Sequence, residues 1–400
     1  MVAAVRAGQS LRQAARAFGV SVGNVAYWVD QAQGERIDRA RFANRKPGRA
    51  WNRTSARVEQ RILRTRRELR DKSVLGEYGA DAIGLALRAR VAAPVPAPAP
   101  TPAAAPVPAP VPARATIYRV LERHGALDAV HRQRRPAPPK GWYLPNLAAA
   151  ATELDSFDFV EDLKIAAGPL VSVLTGISLH GALSAAWIMP HPGAKVTVGT
   201  LIGHWRLHGL PDYAQFDNDT IFQGAHQFAD TVGRVSRLCL ALRVVPVFAP
   251  PREPGFQNSI EGFNGLWQSK VWQRHHCRNL AALEDVSARY ITAHQAKTAA
   301  RREAAPPRRR FPARFAFDLR APLSGTMIFL RRSNERGEVN LLGRTFPVAQ
   351  QWLHRLVRCE VDFTHEQLRF HALRRRAPDD QPLLCKLPYL RPHKLFKGLS

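Results

Sequence analysis

The pattern of apolar and polar positions changes twice along the 400-residue chain. Most of the first 125 residues carry the spacing and composition of helices. From 151 to 300, uncharged strand-like runs alternate with helical stretches, which is typical of an α/β domain with a mixed sheet. From 320 to 375, short alternating runs separated by Gly and Asn turns predict a small antiparallel β-barrel. The pattern therefore predicts a multidomain protein with an all-α N-terminal part.

The segment from Ser10 to Val29 has the layout of a helix-turn-helix within a first unit, 1–50. Ser10 can cap the first helix, and Gly19 can supply the tight turn. Val25 and Trp28 are predicted to face inward. The exposed face of the second helix would enter a DNA major groove and would present Ser21, Asn24 and Tyr27. An ordinary helical hairpin is the alternative.

A second helix-turn-helix is predicted over 51–130, with its turn stretched by a Pro/Ala tract at 91–113. Such a tract cannot build a core and should form an extended spacer. The helix after the tract would contact DNA through Arg114, Thr116, Tyr118 and Arg119. A basic linker is predicted at 131–150.

The net charge of +27 indicates a polyanionic partner. The charge is +16 over 1–150, −1 over 151–300 and +12 over 301–400. Two basic flanks therefore enclose a near-neutral centre, and we expect the flanks to hold double-stranded DNA. In the predicted barrel, Arg331 and Arg332 are expected to contact the DNA backbone, and 376–400 is predicted to be a basic tail.

The four cysteines are scattered and include no CxxC pair. This spacing argues against a disulfide framework and favours a reducing compartment, so we expect a cytoplasmic, nucleoid-associated protein. The run from Ile165 to His191 contains no Asp, Glu, Lys or Arg, but Gly and Pro interrupt it. It is better explained as two buried strands than as a membrane span.

Three acids of the centre occupy positions that a sheet would bring together. Asp155 lies in the first predicted strand, Asp217 ends a later strand, and Glu261 follows a loop rich in Pro and Gly at the start of a helix. Carboxylates at strand ends converge on one edge of an open α/β sheet, and hard oxygen ligands select Mg²⁺ or Mn²⁺. Asp158, in the same predicted strand, competes with Asp155 for the first position. Taken singly, each acid could be an ordinary strand-end or helix-start residue.

Three segments carry a family resemblance. "AQFDNDTIF" resembles the D-N-G-x-x-F segment of DDE transposases and retroviral-type integrases. "PPREPGFQNSIEGFNG" resembles their P-x-x-P-x-x-N-x-x-x-E-x-F-N segment, and "ELDSFDF" resembles their first-Asp strand. The predicted helix-turn-helix units and barrel also match bacterial insertion-sequence transposases of this type.

The resemblance implies an RNase H-like core at 151–300 that cuts and joins DNA with divalent ions. It implies that Asp155, Asp217 and Glu261 are catalytic metal ligands and that Asn258 supports the loop and contacts DNA. For the first ligand the resemblance favours Asp155 over Asp158, because the "E-x-D" entry of "ELDSFDF" matches the family's strand better. The chain departs from the pattern at Asp219, where the family usually has Gly.

The predicted function is therefore that of a transposase that binds element ends, cleaves strands and transfers them, as a homo-oligomer on DNA. A catalytically silent, transposase-derived DNA-binding repressor is the alternative. A third possibility is an RNase H-like nuclease that cuts without joining.

Overall fold

The computed structural model describes residues 1–32, 54–92, 110–127, 140–166, 168–225, 228–253, 255–375 and 377–390. Most of the predicted Pro/Ala spacer (93–109), the first part of the predicted basic linker and the last ten residues of the predicted tail lie outside the described residues.

The first 32 residues form three short helices: α1 (Val2–Arg6), α2 (Leu11–Phe18) and α3 (Val22–Gln31). Ser10 caps α2 through a capping box with Gln13, and Gly19 ends the helix in the left-handed conformation at φ 64°. Both local predictions are confirmed, because cap and turn chemistry depend on neighbouring residues only. The small core of this unit contains Ala14, Ala15 and Val25, while Trp28 is half-buried.

A second helical unit packs against the central domain. Its helices are α4 (Ala56–Lys72), α5 (Ala80–Ala92) and α6 (Arg114–Arg123), around a core that includes Ile62, Ile83 and Ile117. On the central domain, Arg274 donates to the backbone carbonyls of Ser73 and Arg70 just after and within the end of α4. The helical unit is therefore attached to the domain that follows it.

The central domain contains a mixed sheet. Its strands are β1 (Leu154–Lys164), β2 (Leu170–Ser178), β3 (Ser184–Met189), β4 (Tyr213–Phe216) and β5 (Val245–Phe248). The order in the sheet is β5-β4-β1-β2-β3. The first three strands are antiparallel, whereas β4 and β5 run parallel to β1. This arrangement is consistent with an RNase H-like core, as the resemblance implied.

Helices cover both faces of this sheet. They are α7 (Pro145–Ala148), α8 (Ala194–His208), α9 (Thr220–Gln223), α10 (Arg234–Ala241), α11 (Asn258–Trp267), α12 (Leu280–Lys297) and α13 (Ala299–Glu303). Helices α8, α9 and α10 lie on one face, with Phe157 and Phe216 in the core beneath them, and α11 and α12 lie on the other, with Phe263 and Trp267. Since strand residues alternate between faces, this division decides which acids can meet.

The C-terminal strands continue the same sheet. They are β6 (Thr326–Arg332), β7 (Glu338–Leu341), β8 (Arg344–Pro347), β9 (Leu356–Asp362), β10 (Gln367–Ala372) and β11 (Leu383–Pro388). Strand β6 pairs in parallel with β5 and leads to β9, β10 and β11, so the sheet has nine strands, while β7 and β8 form a separate hairpin. The predicted strands are present, but the predicted barrel is not confirmed because β6 extends the central sheet.

Two predicted connecting segments are structured. The predicted linker 131–150 is wrong for its second part, because Trp142, Tyr143 and Leu147 are buried and pack against the central sheet. The predicted tail is wrong at β11, which pairs with β10. Apolar residues supply the buried contacts of both segments, among them Trp142 and Tyr143 in the first and Tyr389 in the second.

Replacing Gly176 by alanine is expected to destabilise the core by about 1–3 kcal/mol, the cost of overpacking. Gly176 on β2 lies opposite Phe157 on β1, and an added Cβ would stand 2.8 Å from the buried ring of Phe157. Chemical denaturation measures the change. Gly199→Ala on α8 is the control, since a Cβ there meets no atom within 4 Å. Equal stability of the two variants would contradict the packing argument.

Candidate active site

Three carboxylates lie on the α11 side of the central sheet. Asp158 is on β1, Asp217 directly follows β4, and Glu261 is in the first turn of α11. Asp158 and Asp217 are half-buried, and Glu261 is exposed. Among the residues that the structure describes, no lysine or arginine forms an ion pair with any of the three. The result is a local excess of negative charge in an otherwise basic protein.

The pKa of Asp158 shows that these acids act on one another. The pKa of Asp158 is raised to about 7, by burial first and then by the negative charges of Asp217 and Glu261, while hydrogen bonds from the Phe159 backbone and from Asn264 act in the opposite direction. The pKa of Asp217 is also raised, by burial first, and the charges of Asp219 and Glu161 add to this. A carboxyl group that ionises near neutral pH beside other acids is typical of a functional site.

Asn264 and Thr175 hold Asp158 in place. The Asn264 Nδ2 atom donates to Asp158 Oδ2 at 2.8 Å, and the Thr175 hydroxyl donates to Asn264 Oδ1 at 2.6 Å. The Thr175 hydroxyl also lies 3.0 Å from the backbone oxygen of Asp158. Sequence reasoning missed both residues. The signal for Asn264 is its position three residues after Glu261, on the same side of α11.

The turn after β4 presents Asp217. The backbone N–H of Asp219 donates to Asp217 Oδ1 at 3.1 Å. The Asp219 carboxylate in turn caps α9 by accepting from the backbone N–H of Ile221 at 2.6 Å. Asp219 therefore has a local structural role as an N-cap, which accounts for an acid at the position where the resembling family has Gly.

The preference for Asp155 as the first acid is corrected. Asp155 is 1% exposed and faces α8, on the opposite side of the sheet from Asp158. Arg308 donates two hydrogen bonds to it, at 2.8 and 2.6 Å, and Trp205 Nε1 donates a third at 3.1 Å. Asp155 and Asp158 are separated by three positions, an odd number, so a strand directs them to opposite faces.

The surroundings of Asp155 form an internal ion pair. Burial alone would raise the pKa of Asp155, but the charge and hydrogen bonds of Arg308 outweigh it and the pKa is lowered. His204 lies 4.0 Å away, and burial lowers its pKa to about 4, so it is neutral at pH 7. Because its oxygens are occupied by Arg308 and Trp205, Asp155 is a structural residue of the core.

The predicted DNA-contact residues of the helices are mostly exposed. Asn24 and Tyr27 lie on α3, and Ser21 is its N-cap, where the Ser21 hydroxyl accepts from the Asn24 backbone N–H. Arg114, Tyr118 and Arg119 are exposed on α6, and Thr116 is half-buried. Arg114 also forms an exposed ion pair with Asp81 at 2.7 Å. Their contact with DNA stays a prediction.

The remaining predicted contacts differ in accessibility. Asn258 is exposed at the start of α11, and Arg332 forms an ion pair with Glu253 while about half of its side chain stays exposed. Arg331 is 9% exposed and bonds to the backbone of Ala249 and to Asn218. The prediction that Arg331 contacts DNA is therefore wrong, because its guanidinium is enclosed.

The donor chemistry of the three carboxylates suits Mg²⁺ or Mn²⁺, which prefer anionic oxygen ligands. Across the described part of the chain, however, no three His, Cys, Asp or Glu side chains stand close enough to hold a metal ion as they are. The exposed Glu261 side chain is the one with most freedom to turn. The residues fit a divalent ion chemically, and the Glu261 side chain would turn toward Asp158 and Asp217 when the ion binds.

No protein-family model and no curated protein sequence matches this chain. Solved structures of retroviral integrases are similar to parts of it. The magnesium complex of the HTLV-2 integrase catalytic core domain, in its dimeric form, is 12% identical, with 40% of this chain and 87% of that chain covered and a TM-score of 0.27. The catalytic core domain of BIV integrase is 14% identical over 36% and 81%, also with a TM-score of 0.27.

The simian T-cell lymphotropic virus intasome in complex with PP2A regulatory subunit B56 gamma is 14% identical, with 62% of this chain and 84% of that chain covered and a TM-score of 0.33. At these TM-scores the likeness carries no further conclusion. The description of the core as RNase H-like rests on the strand order above. Within the described ranges, no helix has the length and apolar character needed to cross a membrane.

Proposed function

We propose that the chain is a transposase, a polynucleotidyl transferase that binds the ends of a mobile DNA element, cleaves strands there and joins them to target DNA. The observation that carries the proposal is the acid cluster of Asp158, Asp217 and Glu261. In this cluster the charges of Asp217 and Glu261 repel that of Asp158 and help to raise its pKa, and the pKa of Asp217 is raised as well. Among the described residues, no lysine or arginine forms an ion pair with any of the three acids. Such a cluster destabilises the protein unless divalent cations neutralise it.

Asp158, Asp217 and Glu261 would hold the Mg²⁺ or Mn²⁺ ions. Bound there, the ions would activate the attacking hydroxyl and stabilise the leaving oxygen of the phosphodiester. The chain itself supplies positioning. Asn264 holds Asp158 Oδ2 through its amide and so orients the carboxylate that would bind the ion. The Asp219 backbone N–H does the same for Asp217.

The basic flanks are proposed to bind double-stranded DNA. Side chains of α3 with its N-cap and of α6 would read or position the element ends. They are Ser21, Asn24, Tyr27, Arg114, Tyr118 and Arg119, which are exposed, and Thr116, which is half-buried. Asn258 would contact DNA beside the acids, and Arg332 would contact the backbone from the C-terminal strands. Because phosphate contacts release counterions, binding should weaken steeply with salt. Assembly as a homo-oligomer on the two ends is part of the same proposal.

The test uses the full chain with labelled duplexes taken from both flanks of its gene. Binding, nicking and joining to a target plasmid are followed with Mg²⁺, with Mn²⁺ and with a chelator. Metal-dependent nicking and joining would support the proposal. Binding without nicking in either metal would favour the silent repressor, and nicking without joining would favour a nuclease. No binding to any duplex would contradict all three.

Metal binding should depend on pH because Asp158 has a pKa of about 7 before metal binds. The proton must leave before the carboxylate can act as a ligand, so Mn²⁺ affinity should rise about tenfold per pH unit below neutrality and level off above it. The stability of the metal-free protein should change with pH in the opposite direction from Mn²⁺ affinity. Because the pKa of Asp158 is higher in the folded than in the unfolded protein, its stabilising contribution is fully present below the unfolded value of about 3.9 and is lost as pH rises through about 7.

Calorimetric titration of Mn²⁺ between about pH 6 and about pH 8 measures this dependence. Asp158→Asn is the control, since it removes the titrating group and should bind Mn²⁺ weakly with a flatter pH dependence. Wild-type affinity that does not change over this range would contradict the role given to Asp158.

A further inference from the structure

Arg331 is a buried cation that has no carboxylate partner among the residues described here. It lies near the end of β6 with 9% exposure, and its guanidinium stands 5.0 Å from the centre of the Phe329 ring. Burial lowers its pKa to about 10, so it stays charged at neutral pH. Burying a charge without an opposite charge is costly. The hydrogen bonds of Arg331 show which parts of the fold its guanidinium connects.

Within the described ranges, Arg331 donates to neutral oxygens at the carboxyl ends of three parallel strands. Its Nη2 atom donates to Asn218 Oδ1 at 2.9 Å, and its Nη1 atom donates to the backbone oxygens of Leu330 at 2.9 Å and Ala249 at 3.4 Å. Asn218 Nδ2 donates to the same Ala249 oxygen at 2.8 Å. The contacts therefore connect β6 to the segments that leave β4 and β5.

Asn218 is the residue between Asp217 and Asp219. The Asp217 carboxylate is held by the backbone N–H of Asp219 at 3.1 Å, so the orientation of the carboxylate depends on the conformation of this turn. A charge-assisted hydrogen bond from Arg331 to Asn218 is stronger than a neutral one and restricts that conformation. Arg331 thus acts on Asp217 through one intervening residue.

We propose that Arg331 is a positioning residue for the Asp217 carboxylate, supplied by the C-terminal strands. The candidate active site is then complete only when β6 is paired with β5. This inference rests on the proposed function for its consequence in catalysis. The contact itself can be tested without DNA or metal.

The first test is hydrogen exchange of the full chain, followed by mass spectrometry. In Arg331→Met, the peptide that covers 216–223 should exchange about tenfold faster than in the wild type, because the turn loses its anchor. The peptide that covers 154–164 should not change. Arg331→Lys keeps a cation with a single donor nitrogen and should restore part of the protection. If the Met variant does not fold, the Lys variant carries the same comparison with a smaller change.

Arg355→Met is the matched control. Arg355 is an exposed arginine directly before β9 that stacks on Trp352, with 4.8 Å between its guanidinium carbon and the ring centre. It does not contact the Asp217 turn. Its removal should leave exchange of the 216–223 peptide and the cleavage rate unchanged, which separates loss of the Arg331 contact from loss of any cation–π arginine.

The second test is cleavage of labelled ends. Arg331→Met should lower kcat about 100-fold, the size expected when a reacting group is misplaced by about 1 Å, and leave KM for DNA within about twofold. Raised KM with unchanged kcat, or unchanged exchange at 216–223, would overturn the inference. A wild type that never cuts would count against the proposed function alone, because the exchange comparison would still decide whether Arg331 anchors the turn.

Discussion

Asp158→Asn is expected to reduce strand cleavage by roughly 10³-fold, as when a group that stabilises transition-state charge is removed. The amide has nearly the size of the carboxylate, and its oxygen can still accept from Asn264 Nδ2, which lies 2.8 Å from Asp158 Oδ2. The fold should therefore survive. What is lost is one negative ligand from a cluster that must hold divalent cations. Asp217→Asn should give the same loss for the same reason.

The stability of Asp158→Asn should change in the opposite direction from its activity. At about pH 8 the wild-type carboxylate is ionised beside Asp217 and Glu261, whose charges raise its pKa. Replacing it by a neutral amide removes this repulsion, so the free energy of unfolding should rise by roughly 1–2 kcal/mol without metal. Cleavage, DNA binding and thermal unfolding of the same preparation measure the three quantities together.

Asp162→Asn is the matched control for this variant. Asp162 is on the same strand, is exposed and has a left-handed backbone at φ 57°, which asparagine tolerates well. Its substitution should leave cleavage and DNA binding within about twofold of the wild type. If Asp158→Asn cuts as well as Asp162→Asn does, the acids on the α11 side are not the active site.

Local features of this fold could be predicted from the sequence because their causes lie within a few residues. The Ser10 cap and the Gly19 turn depend on immediate neighbours. Helix α8 likewise ends directly before a glycine, Gly209. The short C-terminal strands follow from their alternation. Each of these features depends on residues that are close in sequence, and hydrophobic periodicity and turn-forming residues are enough to predict such features.

The first acid could not be assigned in this way. Asp155 and Asp158 stand in one strand with similar neighbours, and the choice depends on which face each one meets. The residues that decide it are distant in sequence: Arg308 on one face and Asn264 on the other. The pairing of β5 with β6 is equally non-local. Alternation predicted short strands between 320 and 375, but not that one of them, β6, would extend the central sheet instead of forming a separate barrel.

The ion pair of Asp155 with Arg308 gives the largest expected effect on stability. Asp155→Asn should lower the free energy of unfolding by about 3–5 kcal/mol, because it leaves a mostly buried guanidinium without its opposite charge. Arg308 lies in the segment that connects the central domain to the C-terminal strands, and its side chain is 16% exposed. Loss of the pair would therefore loosen this connection as well as the core around Trp205.

Chemical denaturation with and without compensation distinguishes this role from a catalytic one. The double variant Asp155→Leu with Arg308→Met should recover much of the lost stability, since an apolar pair of similar volume can replace a buried ion pair. Asp285→Asn is the control: it breaks an exposed pair with Arg289, 2.8 Å apart, and should cost under about 1 kcal/mol. Because the pKa of Asp155 is lowered in the folded protein, the stabilisation is present above about pH 4 and is lost as pH falls further. If the Asp155→Asn protein is as stable as the wild type but no longer cleaves DNA, the structural role given to Asp155 is contradicted and a catalytic role is supported.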